Sequence, residues 1–344
     1  MLSVSNSRAS STCSAAERND FVLYESDAGQ LFYDADGNGA GAKVLIATLT
    51  GLPTLPRADI FVTRSAAALR PRLPLRYRGG MNPPHTSRGT ALVTGASVGI
   101  GEAITRRLVA DGWRVIAAAR RIDKLQALAD ELGPAVLPWA LDVNDHAALA
   151  ALPTALPQGW ARVDLLVNNA GLALGLQPAH QTVLADWQAM VDANISGLIH
   201  ATRALLPGMV ERGRGHIVNI GSLAGELAYP GGNVYGASKA FVHHFTMGLK
   251  ADLIATAVRC TVVEPGLVAG SEFSTVRFKG DTARAQTVYQ GTTPLQPSDV
   301  AEAVSWVAAL PPHVNISVVQ MMPVCQGPGA VGMHRVAPPA AGAA

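Results

Sequence analysis

Tyr235 and Lys239 stand four residues apart in "NVYGASKAFVHHF" (233–245), a stretch with helical spacing. Positions i and i+4 lie on one side of a helix, so a phenol and an ammonium would sit side by side. An ordinary amphipathic face, with a polar ring tip and a snorkelling stem, gives the same pattern. The chemical reading is specific, however. A free tyrosine has a pKa of about 10 and is a poor base near neutrality. A neighbouring ammonium favours the phenolate and lowers that pKa by roughly 1–3. Such a tyrosine could pass a proton to or from a reacting oxygen.

The elements that would position this pair start at residue 90. "VTGASVGIGEAI" (93–104) follows an apolar run and opens a helical pattern. Its glycines Gly95, Gly99 and Gly101 let the backbone turn sharply, and Ala96, Ser97, Val98 and Ile100 complete the turn. A glycine-rich turn running into a helix N-terminus is a pyrophosphate cradle, with free N–H groups and a partial positive charge. The next apolar run ends at Arg120 and Arg121. An acidic residue there would bind a ribose 2′-hydroxyl, whereas arginines pair with a 2′-phosphate. The turn therefore predicts a dinucleotide, and the arginines favour NADP over NAD. Asp142 and Val143 end the third run, where Asp142 is placed to reach an adenine edge. "NNAG" (168–171) ends the fourth, with Asn169 toward the nicotinamide ribose.

Runs at 90–95, 113–120, 136–143, 163–171, 215–222, 258–266 and 315–323 alternate with helical patterns. That alternation predicts an α/β fold, a Rossmann-like doubly wound parallel sheet of seven strands flanked by helices. With "TGASVGIG", "NNAG", Asn194, Ser222, "YGASK" and "EPG" in place, residues 89–335 are similar to the short-chain dehydrogenases/reductases. The resemblance implies a catalytic set of Asn194, Ser222, Tyr235 and Lys239. Ser222 would hold the substrate oxygen, Lys239 would also bind the nicotinamide ribose, and Asn194 would anchor a water that relays protons. It extends the cofactor pocket to Pro265, Gly266, Leu267 and Val268.

"NNAGLALG", "GGNVYGASKAFV", "EFSTVRFKGD", "PPHVNI" and "MMPV" resemble the NADP-dependent 3-hydroxy acid dehydrogenases, a group with serine and allo-threonine dehydrogenases and malonic semialdehyde reductases. That resemblance implies a small 3-hydroxy acid or 3-oxo acid substrate and a homotetramer. A carrier-bound acyl reductase, a general carbonyl reductase and a non-catalytic NADP-sensing protein stay open as alternatives. A small hydroxy acid carries a free carboxylate and needs a cation, for which Arg277 in "VRFKGD" is the first candidate and Lys279 the second.

The rest of the chain narrows the setting. It has 344 residues, 49% hydrophobic and 15% charged, with a net charge of +2. This balance gives no footprint for nucleic acid or an anionic membrane surface. The beginning has no apolar signal core and no run long enough to span a bilayer, so a cytoplasmic protein is expected. Cys13, Cys260 and Cys325 are few and far apart, as in a reduced protein, and Cys260 reads as a core filler. No His, Cys or Asp cluster has metal spacing, and His243 and His244 read as helix-surface residues.

Residues 1–88 differ, and form a mostly irregular extension ending in a segment rich in arginine, proline and glycine. Residues 20–51 read as two short strands around a glycine-rich turn. Residues 18–56 resemble a hemolysin-type calcium-binding end segment, with Asp34, Asp36, Asn38 and Gly39 opening a calcium loop whose twelfth place is Leu45, not glutamate. The extension is expected to be a mis-assigned start or fusion remnant, with Met81 a natural start for the enzyme, and residues 336–344 a disordered tail.

Overall fold

The computed structural model describes residues 88–328, 333 and 335, together with four short N-terminal strands. The chain divides into two compact units, Met1–Met81 and Asn82–Ala344. In the first, β1 (Ser7–Ser10), β2 (Val22–Glu25), β3 (Gln30–Tyr33) and β4 (Val44–Thr48) form a sheet in that order. β1 pairs parallel with β2, and β2, β3 and β4 form an antiparallel meander. Residues 20–51 thus hold three strands where the sequence suggests two. The calcium-loop candidates Asp34, Asp36, Asn38 and Gly39, and the tail 336–344, lie outside the described residues.

The second unit alternates strands and helices. It runs β5 (Thr90–Thr94), α1 (Gly99–Ala110), β6 (Arg114–Ala119), α2 (Ile122–Leu132), β7 (Val136–Ala140) and α3 (His146–Ala155). Then follow β8 (Leu165–Asn168), α4 (Leu184–Val191), α5 (Gly197–Glu211), β9 (Gly215–Ile220) and α6 (Asn233–Asp252). The last elements are β10 (Val258–Pro265), α7 (Phe273–Arg277), α8 (Thr282–Thr287), α9 (Pro297–Ala309) and β11 (Val318–Met321). The seven strands pair in parallel in the order β11-β10-β9-β8-β5-β6-β7.

Both sheet faces are buried, which explains the unbroken apolar runs. On β5, Ala91 and Val93 join one core with Ile104 and Leu108 of α1 and Val300 and Val304 of α9. Leu92, between them, joins the opposite core with Leu149 and Leu152 of α3 and Leu205 of α5. Cys260 sits in that second core with no exposure, and burial pushes its thiol up to about 11. Among the described residues, no helix is long and apolar enough to cross a membrane.

The strand order reverses between β5 and β8, and a crevice opens there beyond the strands' C-terminal ends. Polar side chains fasten the neighbouring strands to the helices above them. Asn168 at the end of β8 donates from Nδ2 to Thr202 Oγ1 (3.0 Å) and to Asn219 Oδ1 (2.9 Å). Asn219 of β9 donates to Thr246 Oγ1 of α6 at 2.8 Å, and Thr246 donates to Val242 O at 2.7 Å. All five residues linked in this way are buried. Replacing Asn219 by valine removes one partner from the Asn168 amide, which keeps Thr202, and the donor to the Thr246 hydroxyl, which keeps Val242 O; a buried polar group left short of a partner costs about 1–3 kcal/mol. The melting temperature is expected to fall by at least about 5 °C in thermal unfolding. An unchanged value would show that the chain of hydrogen bonds carries no net stability.

Candidate active site

The crevice is a cleft of about 600 Å³ at the C-terminal edge of the sheet. One end is built by the turn after β5. Gly95 has φ +68, and a side chain at Gly101 would collide with the Gly95 carbonyl and lie 2.5 Å from Asn169 Nδ2. Only glycine lets the helix start so close to the strand end. Asn169 locks this corner by donating to Thr94 O at 2.9 Å, while its N–H and that of Ala170 donate to Thr94 Oγ1 at 3.0 Å each. The α1 N-terminus has no side-chain cap at Val98, and Val98 and Ile100 line the cleft beside its first N–H groups. An uncapped helix start above a glycine turn fits a pyrophosphate.

Of the residues expected to contact a cofactor, Gly95, Ser97, Val98, Ile100, Arg120, Arg121, Asp142, Val143 and Asn169 line the cleft. Pro265, Gly266, Leu267 and Val268 line its other side, with Tyr235 and Lys239. Ala96, Gly99 and Gly101 do not; they shape the turn from behind. Arg121 is engaged already. Its Nη1 donates to Glu272 Oε2 at 2.8 Å and its Nη2 to Ser97 Oγ at 3.1 Å. Lys124 donates to the other Glu272 oxygen at 3.0 Å, and these two cations hold the Glu272 carboxyl below its ordinary pKa. The sequence gives no sign of Glu272 here, since it comes from the loop after β10, far along the chain.

Ser222 follows β9 and caps a short turn, its Oγ accepting from Ala224 N at 3.1 Å. It meets Tyr235 at the base of the cleft. The Tyr235 phenol is pushed up to about 12, first by burial, against the lowering effect of the Ser222 hydroxyl beside it and of Arg277. This corrects the expectation that Lys239 lowers the tyrosine pKa. The Lys239 ammonium lies 6.0 Å from the Tyr235 ring centre and donates instead to Ile220 O at 2.8 Å. Burial pushes Lys239 itself down to about 8.

Asn194 is expected to anchor a water. It lies in a π-helical turn, Asp192–Ser196, and is buried behind the cleft wall. Its Nδ2 donates to Leu172 O (2.9 Å) and Ser238 Oγ (3.0 Å), and its Oδ1 accepts from Leu172 N (2.8 Å). Both amide hydrogens are spent on the protein, so the side chain keeps only an Oδ1 lone pair for water.

Arg277, the last residue of α7, lines the cleft 5.4 Å from the Tyr235 ring centre. Its Nη2 donates to Tyr229 Oη at 2.6 Å and its Nε to Gly175 O at 3.3 Å. Lys279 is not in the cleft; it pairs with Asp186 at 2.8 Å, because its left-handed backbone (φ 53) turns the chain away. Tyr229 and Phe273, which the sequence reading did not single out, wall the same space. An aromatic six places before Tyr235 was the available signal for Tyr229.

With this geometry in view, the comparisons with known proteins are direct. A family model described as short chain dehydrogenase matches residues 89–281. The chain is 58% identical to the NADP-dependent 3-hydroxy acid dehydrogenase YdfG of Salmonella typhi over 244 residues, 71% of this chain and 98% of that protein. It is 46% identical to the serine 3-dehydrogenase of Agrobacterium fabrum over 238 residues, 69% of this chain and 95% of that one. The closed form of a serine dehydrogenase complexed with NADP+ matches with a TM-score of 0.69 and 55% identity, covering 72% of this chain and all of that chain (100%). The chain belongs to the short-chain dehydrogenase family.

Burying Lys239 has a measurable consequence. Its folded value of about 8 lies below the ordinary 10.5, so the unfolded chain holds more protons in that interval. Stability therefore rises with pH between those values, as the cost of the buried ammonium is relieved. A Lys239→Met variant has no such cost. It is expected to melt at or above the wild-type temperature at pH 7, with its relative advantage shrinking as the pH is raised from about 8 to 10. Parallel melting curves across this range, without convergence, would show that the Lys239 pKa is not lowered by folding and that its ammonium stays charged in the folded protein.

Proposed function

We propose that this chain is an oxidoreductase that transfers hydride between NADP(H) and a small 3-hydroxy acid or its 3-oxo counterpart, in the class of serine, allo-threonine and 3-hydroxypropionate/malonic semialdehyde. One observation carries the reading. Ser222, Tyr235 and Arg277 converge at one end of a cleft whose other end presents the glycine turn, Arg120 and Arg121. The two arginines support a 2′-phosphate at that far end, and the names of the relatives point to the same cofactor. NADP(H) bound there would supply or take up the hydride.

The chain's own groups handle the proton and the carboxylate. With its phenol pushed up to about 12, Tyr235 holds its proton at neutral pH and can deliver it to a carbonyl oxygen; in the reverse direction it takes the alcohol proton back. The Ser222 hydroxyl beside the phenol holds the same oxygen. Lys239, near 8, exchanges protons close to neutrality from the same helix face. Asn194 positions Leu172 and Ser238 behind it. Arg277 has two N–H groups committed, leaving three of its five donors for a substrate carboxylate.

The same reading includes a cytoplasmic homotetramer. The unpaired Cys260 and Cys325 fit a reducing compartment. Trp306 on α9 and Val318 on the edge strand β11 stay exposed and offer a second copy an apolar face.

Tyr235→Phe removes only the phenolic oxygen and keeps the ring packed. Turnover of malonic semialdehyde, followed as NADPH oxidation, is expected to fall by about 10²–10⁴-fold while NADPH still quenches protein fluorescence with wild-type affinity. Retention of more than about a tenth of the activity would remove Tyr235 from the proton-transfer step. Arg277→Ala tests the substrate class. The KM for serine is expected to rise at least about tenfold, as a charge-assisted hydrogen bond is lost, with little change for an uncharged alcohol. Equal losses for both would make Arg277 a packing residue and would leave the acid specificity without a carrier.

A further inference from the structure

Helix α6 continues the stripe of Tyr235 and Lys239 by one more turn, to His243. Its Nδ1 lies 2.8 Å from Oε1 of Glu264, which sits just before Pro265 at the end of β10. The Glu264 side chain is fully buried, with 0% exposure; its second oxygen, Oε2, meets no nitrogen or hydroxyl donor, and burial together with the facing Glu226 carboxyl pushes the Glu264 carboxyl up. A carboxylate oxygen shut away from water without a donor is costly. A second carboxylate faces it. Glu226, four residues beyond Ser222, brings an oxygen close enough that one ligand atom from each of Glu226, His243 and Glu264 lies within 4.8 Å of the others. Gln320 of β11 steadies Glu226, donating to its Oε2 at 2.8 Å. Among the described residues, neither glutamate pairs with a lysine or arginine.

Two carboxylates and an imidazole, converging with one oxygen unpaired, lack a positive centre. We propose that Glu226, His243 and Glu264 bind a divalent first-row transition cation, with Zn²⁺ as the representative ion. Imidazole with carboxylates suits Zn²⁺ and its neighbours, whereas all-oxygen sites suit Mg²⁺ and Ca²⁺. Nitrogen and oxygen ligands stand roughly 2.0–2.2 Å from zinc, so at tetrahedral angles they lie about 3.4 Å apart. The observed 2.8 Å between Nδ1 and Oε1 is that of a hydrogen bond, so the pair would open by roughly 0.6 Å to take the ion. On binding, the Nδ1 proton shared with Glu264 leaves to solvent and the nitrogen lone pair turns to the ion. The cation would join three segments that also carry Ser222, Lys239 and Pro265, and so brace the active site from outside the cleft. The sequence shows no metal spacing because the three ligands come from a loop, a helix and a strand.

The test uses the full chain, stripped with EDTA and titrated calorimetrically with ZnCl₂. The wild type is expected to take up one ion at this site. Glu226→Gln, at an exposed position that does not endanger folding, and His243→Ala are each expected to weaken that uptake by roughly tenfold or more. His244→Ala, on the neighbouring exposed position, is expected to leave it unchanged. Absence of uptake by the wild type, or uptake that survives both ligand substitutions, overturns the proposal; the glutamates would then share a proton in place of an ion.

Discussion

Helix α6 carries a phenol, a hydroxyl, an ammonium and a second hydroxyl into the protein interior, and the site depends on each of them finding a partner there. Tyr235, Ser238, Lys239 and Thr246 are all buried. Ser238 donates to Tyr235 O and accepts from Asn194, Lys239 donates to Ile220 O, and Thr246 links Asn219 to Val242 O. The bonds with Asn194, Ile220 and Asn219 lead to other elements: the π-helical turn, the end of β9, and the chain of asparagines across β8 and β9. Burial raises the cost of any group left alone. The geometry of the reacting end is therefore fixed by the same hydrogen bonds that make burial tolerable.

This constraint also sets the protonation states. The expectation that an i, i+4 lysine makes the tyrosine acidic rests on an ammonium free to act on the phenol. In the folded chain the ammonium is turned to the Ile220 carbonyl, and desolvation dominates both groups. The tyrosine value rises and the lysine value falls, so the two move toward neutral forms in a dry environment. The proton rests on Tyr235 at neutral pH, the form needed to protonate a carbonyl.

What the sequence made legible follows from how far each signal reaches. Alternating apolar runs specify strands buried on both faces, and the glycine turn, Arg120, Arg121, Ser222 and the Tyr–Lys pair are local patterns at strand ends or on one helix. Their convergence on one cleft follows from the parallel topology. The grip of Asn194 on Leu172, the Glu272 contacts with Arg121 and Lys124, and the meeting of Glu226, His243 and Glu264 join residues 17 to 151 places apart. No spacing rule encodes such contacts. Lys279 failed as a site candidate for a related reason: neighbours two apart in a loop need not face the same way, and its positive φ sends it to Asp186.

The short helix α7 then ties the two ends of the cleft together. Glu272 is its N-cap residue and reaches the cations Arg121 and Lys124. Arg277 is its last residue and reaches Tyr229 and the face of Tyr235. A helix of five residues is only about 7.5 Å long, so the two sets of contacts stand close together. In the proposed function, a 2′-phosphate arriving at Arg121 competes with the Glu272 carboxylate for the same guanidinium donors. Whatever changes the hold on Glu272 acts on the segment that presents Arg277 to the substrate. In the proposed function, the residue that meets the 2′-phosphate site and the one offered to the substrate carboxylate thus stand at the two ends of six consecutive residues, 272–277.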